Sequence, residues 1–180
     1  MIVFAARMGL RQGECFGLSV DRVDFLRRTV RVDRQLISAT GGVPEWGPPK
    51  SKAGFRTVPV PEVVGNALAE RLARYGPGPA GLVFVNTLGK PLRRNTAGDM
   101  WHRAADLAGL PKWATFHDLR HFYASLLIAR GCSVKAVQKR LGHQSAMETL
   151  DTYGHLLPDS DDETRNAVDE VLTGLAAKAG

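Results

Sequence analysis

Residues 116–153 constrain the fold more than any other stretch, because apolar residues recur there at helical spacing almost without a break. Gly131 interrupts the pattern once. Gly142 interrupts it again, at a position typical of the left-handed residue that ends a helix. The stretch therefore predicts short helices joined by glycine turns, and we expect a chain that contains them to be mainly helical.

A small antiparallel sheet is expected ahead of these helices. Val30 and Val32 alternate with polar residues, as in a half-buried strand. A turn is predicted at residues 53–54, and a second strand through Val58 and Val60 would complete a basic hairpin. The predicted fold class is therefore α+β. The remaining segments predict helices at residues 1–10, 61–76, 94–108 and 161–177, a loop at 41–49 and a short buried strand at 82–86.

The distribution of charge indicates the class of partner. The chain carries a formal net charge of +6. Residues 158–180 hold six acidic and two basic side chains, a net of −4, so residues 1–157 hold a net of +10. A basic body of this kind favours a polyanion, most simply nucleic acid, and the acidic tail is not expected to touch it.

The composition also bears on cellular compartment. Cys15 and Cys132 form no CxxC pair and are expected to be reduced thiols, as in a cytoplasmic protein. No segment approaches the roughly 18 consecutive apolar residues of a membrane-spanning helix. The chain begins abruptly with an apolar run that needs a surface to cover it, so we expect a preceding part to be missing.

Several side chains suit the transfer of a phosphoryl group. His117 and Arg120 are three residues apart and share one face of the predicted helix. Arginines bind phosphate oxygens, and histidines donate to the same oxygens or act as bases near neutral pH. A tyrosine hydroxyl can attack as a nucleophile, and a lysine can protonate the leaving oxygen. No carboxylate cluster near them suggests a metal, so cationic side chains would take its place. The candidates are Arg11, Lys50, Lys52, Arg56, His117, Arg120, His143 and Tyr153.

Four motifs carry these candidates in a fixed order. They are "GLRQGE" with Arg11, "HDLRH" with His117 and Arg120, "LGHQS" with His143 and "TLDTY" with Tyr153. Together they resemble the motifs of the tyrosine recombinases, the phage integrase family, and the resemblance to the family's catalytic domain covers nearly the whole chain. One departure is Met8, which stands where the family usually has threonine.

The resemblance implies both a fold and a reaction. The fold is that of a DNA breaking-rejoining enzyme, and residues 1–180 would be its catalytic domain without the family's N-terminal core-binding domain. Tyr153 attacks the scissile phosphate and leaves a 3′-phosphotyrosyl bond. The phosphate is bound by Arg11, Arg120 and His143, with His117 moving protons or orienting it. No metal, ATP or other cofactor is implied.

The hairpin "PKSKAGFRTVPVP" resembles the one that carries the family's catalytic lysine. Lys50 matches that lysine's position best and would protonate the departing 5′-oxygen. Lys52 lies two residues on, on the same side of a strand, and remains the alternative. Lys52 and Arg56 are otherwise expected to bind DNA phosphates, and Lys135 and Lys139 are also expected to contact DNA.

The resemblance also implies partners. The substrate is double-stranded DNA, bound by several protomers that form a tetramer when two sites are brought together. The source is bacterial or phage-encoded, and the protein is expected in the cytoplasm near the nucleoid. In such families a tail like residues 161–177 often docks on a neighbouring protomer, although the helix could equally fold back on its own domain.

Other interpretations remain open. Taken singly, each candidate has an ordinary structural explanation, and His102, His121 and His155 are interpreted in that way. Residues 131–143 resemble the turn and second helix of a helix-turn-helix, which favours a non-catalytic DNA-binding protein. A type IB topoisomerase, which shares the strand-transfer chemistry, is a third possibility. In the helix-turn-helix interpretation the side chains that contact DNA are Lys135, Gln138 and Lys139.

Overall fold

The computed structural model describes residues 1–38, 44–157, 165, 166 and 168–170. The helices expected at residues 61–76 and 94–108 are confirmed, and so are the breaks at Gly131 and Gly142, whose φ angles are 73° and 68°. The fold is α+β and mainly helical. Its helices in the described ranges are α1 (Ile2–Met8), α2 (Gln12–Phe16), α3 (Glu62–Tyr75), α4 (Arg94–Leu107), α5 (Asp118–Ala129), α6 (Val134–Leu141) and α7 (Ala146–Tyr153).

Two small antiparallel sheets precede α3 in the chain. The strands are β1 (Val23–Asp24), β2 (Thr29–Val32), β3 (Gln35–Ser38), β4 (Pro44–Gly47) and β5 (Arg56–Pro59). One sheet has the order β1-β2-β5, and the other pairs β3 with β4. The strand predicted around Val30 is confirmed, and its partner across the sheet is Val58. The predicted turn at residues 53–54 is also confirmed, within the 3₁₀ turn Lys52–Gly54.

The loop prediction for residues 41–49 is wrong where β4 forms. Pro44 and Gly47 are loop formers, but they stand at the two ends of a short edge strand, where a missing N–H or side chain is tolerated. The strand is fixed partly by Trp46, because the Arg34 guanidinium lies 4.1 Å from the centre of its ring.

The strand prediction for residues 82–86 is also wrong. The segment makes only two isolated bridges, one from Leu82 to Ser19 and one from Val85 to Pro91. Its apolar run reflects burial in the core rather than a place in a sheet. A short apolar run indicates burial without specifying the hydrogen-bond partner.

Two apolar clusters divide the interior. The larger lies beneath the three-stranded sheet and joins it to α1, α3 and α4, with Met8, Val30 and Val58 fully buried. The smaller, which we term the C-terminal cluster, joins α5, α6 and α7. It comprises Tyr123, Ala124, Ile128, Val137, Leu141 and Tyr153.

Gly9 allows a close contact between α1 and α5. Gly9 ends α1 with a φ of 62°, in the left-handed region. A Cβ atom at this position would lie 2.2 Å from Cδ1 of Tyr123. Only glycine therefore allows the end of α1 to lie against α5, and this contact brings the Gly9 carbonyl within reach of Arg120.

The tail prediction for residues 161–177 lies mostly outside the described residues. Residues 165, 166 and 168–170 are helical, and Val168 is exposed. Across the described ranges, no helix has the length and apolar character needed to cross a membrane.

Candidate active site

Three arginines converge on the end of α6. A helix leaves its last carbonyls without partners, and Gly142 exposes them by turning the chain into the left-handed region. Three consecutive carbonyls are then filled by guanidiniums from distant segments. Arg56 Nε donates to the Arg140 carbonyl at 2.8 Å, Arg120 Nη2 to Leu141 at 2.6 Å and Arg11 Nη2 to Gly142 at 3.3 Å. We call residues 140–142 the carbonyl turn.

Arg120 is the most enclosed of the three predicted phosphate-binding groups. It is 3% exposed, and its Nη1 donates to the Gly9 carbonyl at 2.7 Å. Burial, with Arg11 nearby, lowers the pKa of Arg120 to about 10, so it stays charged at neutral pH. A guanidinium has five N–H donors, and the two carbonyls leave donors for a phosphate.

Glu14 binds two of the arginines that converge on the carbonyl turn, and the sequence analysis did not predict it. Its carboxylate is 2% exposed and accepts from Arg56 Nη1 at 3.0 Å and Nη2 at 2.8 Å. It also accepts from the backbone N–H of Arg11 at 2.8 Å. Burial alone would raise the pKa of Glu14, but the bonds and charges of Arg56 and Arg11 hold it below its usual value. The sequence signal was an acid three residues after Arg11, in the first turn of a helix.

The structure corrects the prediction that Arg56 binds DNA phosphate. Its side chain is 3% exposed, and its donors go to Glu14, to the Gly54 carbonyl and to the carbonyl turn. The alternation along β5 explains the error, because Arg56 shares the inward face with Val58, which is fully buried. Arg56 is therefore a structural arginine, which holds Glu14 and the carbonyl turn in place.

His143 follows the carbonyl turn directly. It is buried, with Nδ1 at 2.9 Å from the Thr149 hydroxyl oxygen and Nε2 at 3.7 Å from a Glu148 oxygen. Burial, with Arg120 nearby, lowers the pKa of His143 to about 4, so the ring is neutral at pH 7. In the tautomer whose Nδ1 accepts from Thr149, Nε2 carries the proton and can donate to a phosphate oxygen.

Tyr153 is the last residue of α7 and belongs to the C-terminal cluster, where it is 4% exposed. Its ring stacks on that of His143, with centres 6.4 Å apart and planes 7° apart. Its hydroxyl oxygen lies 2.8 Å from His121 Nδ1. Burial raises the pKa of the phenol, and Arg120 opposes that shift. His121 was interpreted as an ordinary histidine, although its place one turn after His117 put it on the same helix face.

Lys50 and His117 lie on an open cleft of about 500 Å³, which Arg11 also lines. His117 stands at the N-terminus of α5, and burial, with His121 and Arg120 nearby, lowers its pKa. Arg94, at the start of α4, lines the same cleft and was not predicted from the sequence. Four cationic or proton-carrying groups therefore surround one space, as a phosphate ligand requires.

The exposed lysines lie around this centre. Lys52 begins its 3₁₀ turn in solvent, and Lys135 and Lys139 are exposed on α6. Gln138, considered above as a group that reads DNA, is buried and donates to the His143 carbonyl at 3.3 Å. That contact removes one of the three side chains on which the helix-turn-helix interpretation depends.

Within residues 1–38, 44–157 and the few described beyond them, no three His, Cys, Asp or Glu side chains are grouped as metal ligands would be.

Comparisons with known proteins identify the family of the chain. The sequence model described as the phage integrase family matches residues 1–159. A protein named tyrosine recombinase XerC-like, from Caldanaerobacter subterraneus subsp. tengcongensis, is 30% identical over 179 residues, covering 88% of this chain and 45% of that protein. Tyrosine recombinase XerD of Corynebacterium glutamicum is 33% identical over 156 residues, covering 84% of this chain and 46% of that protein. The chain thus spans about half the length of these curated relatives.

Solved structures give the same result. The integrase of the Tn1549 transposon, in complex with circular intermediate DNA, superposes with a TM-score of 0.81 at 29% identity, over 94% of this chain and 58% of that one. The XerA recombinase shares the fold at 23% identity, with a TM-score of 0.65 over 94% of this chain and 56% of that one.

Proposed function

This chain belongs to the phage integrase family, and from that premise we propose that it cleaves and rejoins double-stranded DNA as the catalytic domain of a tyrosine recombinase. One observation carries the proposal. Tyr153, the predicted nucleophile, stacks on His143, while Arg11 and Arg120 are fixed to the two carbonyls just before that histidine. Four motif residues far apart in sequence thus meet around one turn.

The first task of such a site is to bind the scissile phosphate. Arg11 and Arg120 supply permanent positive charge, and a neutral His143 supplies a donor from Nε2. Rigidly held donors of this kind stabilise the charge that develops on phosphate oxygens in the transition state. The carbonyl turn provides that rigidity, because each guanidinium is already fixed before DNA arrives.

The second task is to transfer the phosphoryl group to Tyr153. Tyr153 Oη attacks phosphorus, the bond to the 5′-oxygen breaks, and Lys50 protonates that oxygen from the cleft. A 3′-phosphotyrosyl bond results, and a 5′-hydroxyl from another strand reverses the step. His117, on the same cleft, orients the phosphate.

DNA binding is proposed for the basic surface around the cleft. It consists of Lys50, Lys52, Lys135 and Lys139, all exposed. The Tn1549 transposon integrase, to which this chain is similar, was solved in complex with DNA. We place the activity in the cytoplasm of a bacterium, because that is where DNA and reduced thiols such as Cys15 occur together.

Assembly on two DNA sites into a tetramer is part of the proposal. The tail has a net charge of −4, which favours a protein surface over DNA as its contact. Truncation after Asp159 should leave binding to one site unchanged and weaken cooperative binding to two adjacent sites, as measured by gel shift. If truncation instead lowers the melting temperature of the free protein markedly, the tail packs on its own domain.

The test of the proposed function is covalent trapping. The chain is incubated with nicked suicide DNA, and denaturing gels should show a protein–DNA adduct that Tyr153→Phe abolishes. Binding without an adduct would favour a non-catalytic DNA-binding protein. Relaxation of supercoiled DNA that lacks a recombination site would favour a type IB topoisomerase.

A further inference from the structure

His121 contacts the hydroxyl group of the predicted nucleophile. Its Nδ1 lies 2.8 Å from Tyr153 Oη, within hydrogen-bond range, and the two ring centres are 5.6 Å apart at an angle of 59°. Tyr153 is 4% exposed, so its side chain has little contact with solvent. A side chain of α5 thus holds the one reacting atom that α7 supplies.

The other histidines of the site are placed differently. His143 presents its ring face to the ring of Tyr153 and has Nδ1 bound to the Thr149 hydroxyl. His117 lies edge-on to the ring of His121, with centres 4.9 Å apart. His121 is therefore the histidine whose ring nitrogen is in line to take a proton from Tyr153.

We infer that His121 accepts the proton of Tyr153 as the tyrosine attacks DNA. The Oη–H bond breaks and its proton moves to Nδ1 of His121, while Oη bonds to phosphorus and the bond to the 5′-oxygen breaks. Lys50 protonates that oxygen. In rejoining, a 5′-hydroxyl gives its proton to the neutral amine of Lys50 and attacks phosphorus, while the bond from phosphorus to Oη breaks and Oη takes its proton back from His121. The inference rests on the proposed function, because it assigns a role only if Tyr153 is the nucleophile.

The surroundings of Tyr153 explain why it needs an acceptor. Burial raises the pKa of this phenol, so very little phenolate is present near neutral pH. A base within hydrogen-bond distance removes that obstacle, and such a base typically accelerates a step by about 10² to 10⁴-fold. The groups that face His121 are His117 and Asp118 from its own helix and Tyr153 from α7.

Two substitutions separate proton acceptance from packing. His121→Asn keeps an amide oxygen near the position of Nδ1, so it can still accept a hydrogen bond but cannot take up the proton. His121→Phe keeps the ring and removes both. In single-turnover cleavage of suicide DNA, His121→Asn should be slower than the native chain by about 100-fold or more. His102→Asn, which changes an exposed histidine on α4, is the matched control and should cleave at the native rate.

A second arm changes the phenol instead of the base. Fluorotyrosine placed at position 153 alone has a lower phenol pKa, so its attack depends less on an acceptor. Fluorotyrosine at position 153 should restore most of the cleavage rate that His121→Asn loses. In a chain that retains His121, it should change the cleavage rate little. Equal effects in the two backgrounds, or native cleavage by His121→Asn, would overturn the inference.

A third arm needs no DNA. The NMR resonance of ¹³Cζ in labelled Tyr153 should shift in His121→Phe, which removes the hydrogen bond, and stay in place in His102→Asn. An unmoved resonance means that the hydrogen bond is absent and overturns the inference even if a variant is unstable or inactive. The proposed function fails separately, through an adduct that survives Tyr153→Phe.

Discussion

Arg56 and Glu14 form a buried ion pair 42 residues apart in sequence, with Nη2 at 2.8 Å from Oε2 and Nη1 at 3.0 Å from Oε1. Neither side chain is expected to touch DNA. Yet Arg56 also binds the first carbonyl of the carbonyl turn, and Glu14 also binds the backbone of Arg11. The pair therefore connects the hairpin, the first arginine motif and the turn that bears His143.

Glu14→Gln should lower the free energy of unfolding by about 3 to 5 kcal/mol, because it leaves Arg56 buried without a counter-charge. Glu62→Gln is the matched control. Its carboxylate is 76% exposed and 3.8 Å from Arg28, so a loss of less than about 1 kcal/mol is expected. Urea denaturation measures both. Equal losses would mean that the buried pair contributes no more than a surface contact.

The same pair predicts a response to acid. The pKa of Glu14 is lowered by folding, so its contribution is fully present above the pKa of the unfolded carboxyl group. It should be lost as the pH falls below about 4.5 and through the folded pKa. Glu14→Gln should flatten this part of the stability profile. The free energy of unfolding of the variant should therefore be lower near neutral pH and should depend less on pH in acid.

His143 predicts a second, separate acid response. Folding lowers its pKa to about 4, so between that value and the ordinary value near 6.5 the unfolded chain binds more protons than the folded one. Stability should therefore fall as the pH is lowered through this window. His143→Gln should reduce the fall, whereas His155→Gln, at an exposed position, should leave it unchanged. Thermal melts between pH 7 and pH 4 provide the comparison.

Gly9→Ala tests the junction of α1 with α5. Two costs combine at this position: a positive φ and a Cβ 2.2 Å from the ring of Tyr123. Gly131→Ala has a similar φ of 73° with no atom within 4 Å, so it isolates the backbone cost of about 1 to 2 kcal/mol. Gly9→Ala should be the more destabilising by about 1 to 3 kcal/mol. A smaller loss than that of Gly131→Ala would show that Tyr123 moves aside freely.

Lys50→Ala should cleave ordinary DNA slowly, since the leaving 5′-oxygen lacks a proton donor. DNA with sulfur at the 5′-bridging position has a leaving group that needs no proton, so the variant should cleave it at close to the native rate. Lys52→Ala is the control for charge on the hairpin. Rescue by sulfur in Lys52→Ala alone would transfer the role to that lysine.

DNA affinity should depend steeply on salt, because residues 1–157 carry a net charge of +10. Each neutralised phosphate contributes about −0.9 to the slope of log K against log salt. With about six contacts, affinity should fall roughly a thousandfold between about 50 and 200 mM salt. Fluorescence anisotropy gives the slope, and a flat response would show that the basic surface is not the binding face.

The sequence predicted the parts of the site that short spacings determine. His117 and Arg120 share a helix face because they are three residues apart, and Gly142 ends α6 because glycine adopts positive φ. Tyr153 was predicted as the nucleophile from motif order, and the residues of the C-terminal cluster against which it packs were not predicted. Spacing specifies which face a side chain occupies, but not what covers that face.

Roles that depend on tertiary contacts were not predictable in this way. Glu14 and His121 became visible only when their partners, 42 and 32 residues away, were in place. Arg56 was assigned to DNA because basic hairpins commonly bind phosphate, and the inward face of β5 overrode that preference. Arg94 reached the cleft through the placement of α4, which no local pattern specifies.

The contacts of the carbonyl turn bear on the order in which the protein becomes functional during synthesis. Its arginines come from segments 131, 84 and 21 residues from the carbonyls they bind. Closing the two longer of these loops has the larger cost in chain entropy. A ribosome releases residue 11 long before residue 142, so a nascent chain holds its first arginine without the turn that fixes it. The group of arginines that we propose to bind the scissile phosphate is therefore completed only after residues 140–142 have been made, when the domain is nearly complete.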